Sequence, residues 1–417
     1  MNNPIIRFKK VDGSDFSDWK ESSFQEIFEF RSSISLSRSQ LNYTTGEIKN
    51  IHYGDILLKF PSIVHTDNKL IPYINQDCIP NKYDLLEKGD VVFADTAEDY
   101  SLGKAIEIGS TPFRITSGLH TIACKAKLKF ASGFLVYYLN SNFYHCQINK
   151  LATGTKVYSI IKSNIIKTKL RTPSSLEEQQ KIASFFSTLD QKIELNERKL
   201  EALEKLKKGI GRRLLIKDPE SQLENSHWKI VRISEVADLI TGFPFNSSDF
   251  SKSGIRLIKG ANIKRGTLSF DQKTSSFWPS DAGLTKYALE TGDLLVQMDG
   301  ALVGESFGRV TEDLLPALLV QRVTRIRATE DIIEIIYQIF CIGNFLKFVQ
   351  SVKTNTAIPH ISLQNIKDFE ISIPEDVNEL HKLANFFRLL DAKINLVKRK
   401  KELYTYLKSG FLQQMFI

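Results

Sequence analysis

A long helical segment that occurs twice is the feature that most constrains the fold of this chain. Residues 177–216 align with residues 378–417 without a gap. Apolar residues recur in both copies with alternating gaps of three and four, once the polar Asn196 and Lys207 of the first copy are admitted. This spacing predicts a heptad seam along each helix. The predicted seam residues are Ile182, Phe186, Leu189, Ile193, Leu200, Leu203 and Ile210 in the first helix, and Leu383, Phe387, Leu390, Ile394, Tyr404 and Phe411 in the second.

The first of these helices has a clear predicted start at Ser175. A hydroxyl cap followed by the negative charges of Glu177 and Glu178 favours helix initiation there. A helix from Ser175 to Arg213 is on the order of 55 Å long at ~1.5 Å per residue. A rod of that length with one apolar seam needs a partner, and we expect the second copy to supply it. The two helices pair antiparallel if the block between them returns the chain to the end of the rod where it began.

The blocks that precede the two helices also resemble each other. Each opens with Trp-Lys, at Trp19 and Trp228, and each carries a Gly-Asp turn ahead of a β-rich run, at Gly89 and Gly292. Such turns predict short strands. The similar run 53–58 is predicted to be a strand as well.

Later in each block, aliphatic and aromatic residues at helical spacing predict one amphipathic, core-facing helix, over 133–150 and over 331–352. A chain of 417 residues is longer than one core usually supports. We therefore expect a mixed α/β (α+β) fold with an internal pseudo-two-fold repeat, in which an antiparallel coiled coil of two long helices separates two domains. The expected boundaries are 1–174 for the first domain, 175–217 for the central helix, 218–374 for the second domain and 375–417 for the C-terminal helix.

Composition is that of an ordinary globular protein, with 42% hydrophobic and 25% charged residues. No uninterrupted apolar run reaches the roughly 18 residues of a membrane span, and the N-terminus lacks the apolar core of a signal peptide, so we expect a cytoplasmic protein. The net charge of +8 suits a polyanionic partner. The cysteines are scattered without CxxC spacing, which favours buried thiols over a zinc site or a disulfide framework. They are Cys78, Cys124, Cys146 and Cys341.

Motifs for catalysis are missing from the sequence. An adenine methyltransferase needs a polar-Pro-Pro-aromatic motif, and this chain has no Pro-Pro. It also lacks the Gly-x4-Gly-Lys-Ser/Thr loop that cradles nucleotide phosphates. Asp95, Glu98 and Asp99 lie close together, but a solvated loop explains them better than a nuclease site. We therefore predict no catalytic residue and no metal site.

The helix regions carry the most specific motifs. Pro-x-x-Leu-Glu-Glu-Gln-Gln-Lys-Ile runs from Pro173 to Ile182, Leu-Asp-x-Lys-Ile starts at Leu189, and a basic Lys-Leu-Lys-Lys-Gly stretch starts at Lys205. With these motifs, the Trp-Lys openings and the runs 51–56 and 259–263, the chain resembles the specificity (S) subunits of type I restriction-modification enzymes. The second copy departs from the pattern, because Leu-His follows Glu379 where Gln-Gln follows Glu178.

The resemblance implies a non-catalytic subunit with two α/β target recognition domains, each reading one half of a bipartite target in double-stranded DNA. It implies that the helices set the spacer between the half-sites and dock two methyltransferase (M) subunits. Restriction/translocase (R) subunits join in the full complex. The resemblance implies no cofactor bound by this chain, and a partner methyltransferase that uses S-adenosylmethionine.

Candidate DNA contacts are polar and basic residues in loops. Arginine and lysine match guanine edges, asparagine and glutamine match adenine, and cations bind phosphates. The polar loops after the late helices are favoured because they occupy equivalent places in both domains. The candidates are Thr153, Gly154, Thr155, Lys156, Tyr158 and Lys162 in the first domain, and Lys259, Asn262, Lys264, Arg265, Thr354, Asn355, Thr356 and His360 in the second.

A second interpretation is a two-headed DNA-binding repressor or a coiled-coil scaffold without methyltransferase partners. In that case the polar Asn196 and Lys207 on the seam would only fix the register of the helices. Residues such as Arg198 and Lys199 recur identically in the second helix although they lie off the seam. This recurrence favours two equivalent partner-binding faces.

Overall fold

The structure is a computed structural model, and it describes residues 4–216, 227–270, 276–354 and 356–416. The chain forms two compact units, Met1–Glu197 with Arg399–Ile417, and Arg198–Lys398. Each unit therefore combines a strand-rich block with a part of each long helix. The predicted mixed α/β fold with an internal repeat is confirmed.

The first block is made of short strands and short helices. Its strands are β1 (Lys20–Ser23), β2 (Phe28–Arg31), β3 (Leu41–Asn42), β4 (Ile48–Ile51), β5 (Ile63–Val64), β6 (Tyr73–Ile74), β7 (Val91–Ala94), β8 (Thr96–Ala97), β9 (Ala105–Ile108), β10 (Arg114–Ser117), β11 (Thr121–Ala126), β12 (Tyr158–Ser159) and β13 (Lys169–Thr172). Its helices are α1 (Phe24–Ile27), α2 (Tyr53–Leu58), α3 (Phe134–Leu139), α4 (Asn142–Leu151) and α5 (Lys162–Ile165). The long helix α6 (Leu176–Leu215) follows.

The second block repeats this plan with fewer strands in the described ranges. Its strands are β14 (Trp228–Arg232), β15 (Asp238–Thr241), β16 (Ile255–Ile258), β17 (Phe277–Trp278), β18 (Leu294–Gln297), β19 (Phe307–Arg309), β20 (Ala317–Leu319), β21 (Val323–Arg327) and β22 (Glu370–Pro374). Its helices are α7 (Ile233–Val236), α8 (Glu330–Cys341), α9 (Asn344–Val352) and α10 (Leu363–Lys367). The long helix α11 (Val377–Gln414) closes the chain.

The sheets of the two blocks correspond to each other. The five-stranded order β2-β11-β7-β9-β5 matches the four-stranded order β15-β21-β18-β19. A parallel pair lies in the next sheet of each block, β4 with β10 and β16 with β20. Each block is closed where its first and last strands pair antiparallel, β1 with β13 and β14 with β22. Both ends of a block thereby meet beside the start of its long helix.

The predicted Gly-Asp turns lead into central strands, as expected. Gly89 and Gly292 have φ of 90° and 93°, which is the left-handed region that glycine adopts without steric cost. The carboxylate of the next residue, Asp90 or Asp293, accepts a backbone N–H from three residues earlier at 2.8 Å. β7 and β18 then begin at once, and their leucine, valine and phenylalanine side chains are buried.

Three local predictions are wrong. The helices predicted over 133–150 and 331–352 are each broken in two. Ser141 accepts the backbone N–H of Tyr144 and so caps a new helix, α4, while Gly343 takes a φ of 87° ahead of α9. The run 53–58 forms the helix α2, because the ring of His52 accepts the N–H of Gly54 and caps its first turn.

The long helices match their predictions closely. α6 starts at Leu176, and the Ser175 hydroxyl accepts the backbone N–H of Glu178 at 3.4 Å, as an N-cap does. In the first unit, Asp190 pairs with Lys408 and Glu197 pairs with Lys401. From the first pair to the second, the residue number increases along α6 and decreases along α11. The antiparallel pairing is therefore confirmed within this unit.

The second unit has the same register. Lys207 of α6 pairs with Asp391 of α11 at 2.5 Å, the exact counterpart by alignment of the pair formed by Asp190 and Lys408. The paired residue numbers add up to the same value in both units, so one antiparallel register holds in each of them.

The second copy of the helix has Leu380 where the first has Gln179, and packing explains this difference. In the first unit Gln179 is buried, and its amide accepts the N–H of Ala131 and donates to the carbonyl of Pro173. Leu380 stands at the aligned position of α11 and lies in the apolar core of its own unit. The first site supplies backbone groups that need partners, and the second supplies an apolar surface.

Candidate nucleic-acid interface

The first candidate loop is a tight hairpin between Thr153 and Ser159. These two residues exchange backbone hydrogen bonds of 2.9 and 2.8 Å. Gly154 has a φ of 115°, and a Cβ on it would lie 2.0 Å from the carbonyl oxygen of Val157, so this turn requires glycine. The tip, with Thr155 and Lys156, is exposed. The side chains of Thr155 and Lys156 therefore face solvent next to a turn that only glycine can form.

The hairpin is anchored to the central part of its domain. β12 pairs antiparallel with β8, so that Ser159 faces Thr96. The next residue, Ile160, is buried and donates its N–H to the carbonyl of Asp95 at 2.9 Å. The exposed tip is thus carried by residues that belong to the core.

The second candidate loop is closed by bonds between Thr354 and His360, which follow α9 as Thr153 and Ser159 follow α4. Thr354 donates its backbone N–H to the carbonyl of His360 at 3.1 Å, and its hydroxyl lies 2.9 Å from Nδ1 of that residue. His360 forms a β-bridge with Asp299. The hydroxyl of Thr356 donates to the carbonyl of Ile358 at 2.7 Å. Asn355, also a candidate, lies outside the described residues.

The remaining candidates of the first domain lie close to this hairpin in sequence. Tyr158 is 38% exposed on β12, and Lys162 is exposed at the start of α5. The ammonium of Lys162 lies 5.2 Å from the ring centre of Phe30, within cation–π range. Its position is therefore restrained by an aromatic face.

The candidate DNA-contact residues of the second domain lie on different surfaces. Lys264 and Arg265 are exposed in a turn that is far in sequence from the hairpin, and Arg265 pairs with Glu305. The neighbouring Gly266 lines a cavity of about 620 Å³ together with Lys207 and other residues of the same unit. These two cations therefore belong to a surface beside the long helices and not to the hairpin.

Two candidates lie partly or wholly inside the fold. Asn262 is 1% exposed, and its amide accepts the N–H of Lys259 and donates to the carbonyl of Ser269. No part of that amide faces solvent, where a base edge would have to meet it. Lys259 is half-buried, and its ammonium lies 2.9 Å from the hydroxyl of Ser276.

Two residues beside the hairpins escaped the sequence analysis. His120 precedes β11 and Arg322 precedes β21, and each side chain faces an acidic residue of its own domain, Asp95 or Asp299. The sequence around them gives no clear signal, because the strands that follow, β11 and β21, themselves contain polar residues.

The first domain adds a buried electrostatic cluster next to His120. The Asp55 carboxylate is fully buried and pairs with Arg38 at 2.8 Å and Lys59 at 3.0 Å. Burial first, and the cation of Arg38 second, lower the pKa of His52, which keeps this imidazole neutral near pH 7. The ring of Tyr53 stands between the rings of His52 and His120, with centroid distances of 4.7 and 5.2 Å.

The predicted seam residues lie on the inner face of each helix pair. In the first unit the buried members are Ile182, Phe186 and Leu189, and the half-buried ones are Ile193, Tyr404 and Phe411. In the second unit the buried members are Phe387 and Leu390, and the half-buried ones are Leu200, Leu203, Ile210, Leu383 and Ile394.

A polar cluster sits on this inner face in each unit. The ammonium of Lys408 contacts the Asp190 carboxylate and lies 5.6 Å from the ring centre of Tyr137, whose hydroxyl donates to Asp190 at 2.9 Å. Burial, and next the charge of Asp190, raise the pKa of Tyr137, so its hydroxyl keeps its proton. Lys207 lies at the same 5.6 Å from the ring of Tyr337 in the second unit.

The outer face of α11 carries exposed apolar residues. Phe386, Leu389 and Leu396 are 41%, 64% and 53% exposed. Their spacing of three and seven residues places them on one side of the helix. They form an apolar stripe, Phe386–Leu389–Leu396, that is distinct from the inner seam.

Within the described ranges, no group of three or more histidine, cysteine, aspartate or glutamate side chains is arranged to hold a metal ion. In the same part of the chain, no single helix has the length and apolar character of a membrane span. The bent pair α8 and α9 meets those two criteria only when both helices are counted together.

Two copies of one α/β domain, each with an exposed polar hairpin and each joined to a long helix, define a protein with two related binding modules. A family model described as a type I restriction modification DNA specificity domain matches residues 17–205 and again residues 225–404. The chain belongs to this family. It is a non-catalytic specificity subunit that recognises DNA through two domains.

Individual relatives agree over most of the chain. It is 25% identical over 357 residues to the type I restriction enzyme MjaVIII specificity subunit of Methanocaldococcus jannaschii, covering 80% of this chain and 78% of that one. The crystal structure of a type I S subunit from M. genitalium matches with a TM-score of 0.64 at 14% identity, covering 100% of this chain and 99% of that one.

A second solved structure comes from work on complex assembly and conformational transition of the type I restriction-modification system. It matches with a TM-score of 0.54 at 16% identity, covering 94% of this chain and 96% of that one. At these identities the two structural likenesses establish the fold.

Proposed function

We propose that each domain reads one half of a bipartite target in double-stranded DNA. Residues 1–174 form the first recognition domain and residues 218–374 the second. The helical segments 175–217 and 375–417 set the spacer between the half-sites and dock the partner subunits. The observation that carries this proposal is the repeated hairpin, Thr153–Ser159 in one domain and Thr354–His360 in the other.

The hairpins have the properties that base readout needs. Two backbone hydrogen bonds close the first hairpin, and the second is closed by the N–H of Thr354 on the carbonyl of His360 and by the N–H of His360 on the hydroxyl of Thr354. Their exposed residues carry hydroxyl groups and, in the first domain, Lys156. Side chains on a rigid support lose less entropy on binding than side chains on a mobile loop. Hydroxyl groups bond to bases or phosphates, and lysine neutralises phosphates. Asn262 is left out of the proposed interface because it is buried.

The long helices offer surfaces for partner subunits. The stripe Phe386–Leu389–Leu396 groups three exposed apolar side chains on one side of a helix, and such a grouping marks an interaction site. Identical residues recur at aligned positions of both helices, which supports two equivalent docking faces and hence two methyltransferase subunits. Restriction/translocase subunits join this assembly, and S-adenosylmethionine binds to the methyltransferase. A chain that works with DNA and these subunits acts in the cytoplasm.

The proposal is tested by sequencing host DNA with a method that detects methylated bases, with and without this gene. We expect one bipartite motif, two short half-sites with a fixed spacer, to lose methylation when the gene is deleted. A plasmid copy should restore it. A repressor or scaffold without methyltransferase partners would leave methylation unchanged, and that outcome would refute the proposal.

A further inference from the structure

One non-glycine residue of each domain adopts a left-handed backbone conformation. In the described ranges these residues are His120, with a φ of 52°, and Arg322, with a φ of 66°. Side chains rarely adopt this region because the Cβ crowds the backbone. Such outliers persist where the surrounding fold enforces them, and they occur preferentially at binding sites.

The two residues occupy the same place in the repeat. The carbonyl of His120 accepts the N–H of Asp95 at 3.1 Å, and the carbonyl of Arg322 accepts the N–H of Met298 at 3.0 Å. Asp95 and Met298 in turn accept the N–H groups of Ile160 and Ile361, just after each hairpin. The left-handed residue is therefore tied through one intermediate residue to the hairpin proposed to read DNA.

Arg322 is held on one side and open on the other. Its Nη1 lies 3.2 Å from the carboxylate of Asp299, and the side chains of the two residues are 69% and 22% exposed. In the described part of the chain, no other group is bonded to the guanidinium. Arg322, Asp299 and His360 line one cavity of about 330 Å³. The guanidinium is thus oriented at the edge of the hairpin, with its remaining N–H groups facing solvent.

The carboxylate of Asp299 favours a base edge over a phosphate as the ligand of Arg322. A phosphate carries a negative charge, and Asp299 beside the guanidinium would repel it. Guanine is neutral and presents two acceptors, O6 and N7, which match the planar fork of an arginine. Orientation also matters for a base and much less for a phosphate, because two hydrogen bonds to a base edge require the fork to lie in its plane.

We propose that Arg322 reads a guanine in the half-site of the second domain and that Asp299 is its positioning residue. The inference rests on the proposed function, and it names the specificity-determining residue of one domain. The first domain carries His120 at the equivalent place, with Nδ1 3.3 Å from Asp95 and 3.3 Å from the hydroxyl of Thr96. An imidazole and a guanidinium at one site of the repeat suit two half-sites of different sequence.

The test uses the complex of the full chain with its methyltransferase subunits. Competition binding against DNA duplexes with every single substitution in both half-sites gives the discrimination at each base pair. For Arg322→Ala we expect discrimination at one G·C pair of the second half-site to fall by about tenfold or more, because one bidentate contact to the base edge is lost. The first half-site keeps its preferences.

Further variants test the positioning role of Asp299 and distinguish the loss of a base contact from an effect of the left-handed backbone at Arg322. Asp299→Asn should weaken discrimination at the same base pair, because the neutral amide holds the guanidinium less firmly. Arg322→Gly suits the left-handed backbone, so it should fold at least as well as the wild type while losing the same preference. Arg232→Ala is the matched control, because Arg232 is an exposed arginine of the same domain that also lies near an acid, Asp368. It should change no base preference.

Two results would overturn the inference. If Arg322→Ala weakened binding to all sequences alike and lowered the salt slope by about one, Arg322 would be a phosphate contact. If Arg322→Gly folded and kept every base preference, Arg322 would not read DNA. Failure of the proposed function looks different, because the wild-type complex itself would then show no bipartite preference.

Discussion

At the scale of single residues, burial separates candidates that look alike in sequence. Asn262 and Lys156 both lie in polar loops of the kind that contact DNA. Asn262 is 1% exposed and bonds to the backbone of its own turn, while Lys156 stands on an exposed hairpin tip. A polar side chain near unpaired backbone groups satisfies them, because leaving such groups buried without partners costs free energy. Loop composition alone does not show where those groups are.

Lys156 is expected to act on phosphates. It has no ion-pair partner among the described residues, so its charge is available to DNA. Lys156→Ala should weaken binding to all sequences alike and lower the slope of log affinity against log salt concentration by about one, because one fewer counterion is released. The measurement is binding to specific and random duplexes over a series of salt concentrations.

The control for this variant is Lys156→Arg, which keeps the charge and should keep the slope. A changed target sequence with an unchanged salt slope would show that Lys156 reads a base instead.

At the scale of elements, the long helices show two faces in adjacent residues. Phe387 is fully buried, whereas Phe386 is 41% exposed. The heptad spacing puts the first on the seam and the second on the outer stripe. The buried seam of α11 thus stabilises the fold, and its exposed stripe Phe386–Leu389–Leu396 is left for the proposed contact with a partner subunit.

Phe387→Ala should lower the free energy of unfolding of the second unit by about 3–5 kcal/mol, because it leaves a cavity in a core that cannot fully collapse. Phe386→Ala is the adjacent control and should have a much smaller effect, since its ring already meets solvent. Chemical denaturation of both variants, followed by circular dichroism, distinguishes them. Equal losses would mean that the outer phenylalanine also belongs to the core.

Leu389→Glu should leave folding intact and impair docking of the methyltransferase. Leu389 is 64% exposed, so a charge there is solvated in the free chain but would be buried without a partner in the complex. We expect affinity for the methyltransferase subunit to fall by about tenfold or more, a loss of ~1.4 kcal/mol.

Leu128, an exposed leucine of the first domain, provides the control variant Leu128→Glu. Affinity is measured by titration of purified subunits, and melting temperature reports folding. Unchanged affinity of Leu389→Glu would remove the stripe Phe386–Leu389–Leu396 from the docking surface.

At the scale of the whole molecule, the proposal that the long helices set the spacer between the DNA half-sites can be tested by lengthening both helices by the same amount. A heptad inserted after Glu197 and another after Lys400 keep the ion pairs of Glu197 with Lys401 and of Lys207 with Asp391. Each insertion also keeps the seam in phase. Every pairing within each unit therefore persists, and only the length of the helices changes.

The inserted heptads should lengthen the preferred spacer and leave both half-site sequences unchanged. Seven residues add about 10 Å at ~1.5 Å per residue, which corresponds to about three base pairs at ~3.4 Å each. Affinity should fall as well, because the twist between the half-sites changes. Binding selection from a library with random half-sites and variable spacers gives the preferred length.

The control is an insertion of three residues into α6 alone, which breaks the seam and should abolish binding. If matched heptads left the spacer unchanged, or changed the bases read, the helices would not set the distance.

The sequence by itself determined the repeat, the long helices, the cap at Ser175 and the turns at Gly89 and Gly292. These features arise from interactions between residues that are close together in the sequence. A heptad seam, a hydroxyl cap and a glycine in a left-handed turn each act over one or two helical turns, so the residue order alone specifies them.

The breaks at Ser141 and Gly343 and the helix Tyr53–Leu58 also rest on local caps and a glycine, and they were missed because these are single residues within an apolar pattern. Only the tertiary structure decided which polar side chains face solvent. His120 and Arg322 were missed for that second reason. Their strained backbone and acidic neighbours come from strands distant in sequence, and the burial of a polar group depends on which of those distant atoms it meets.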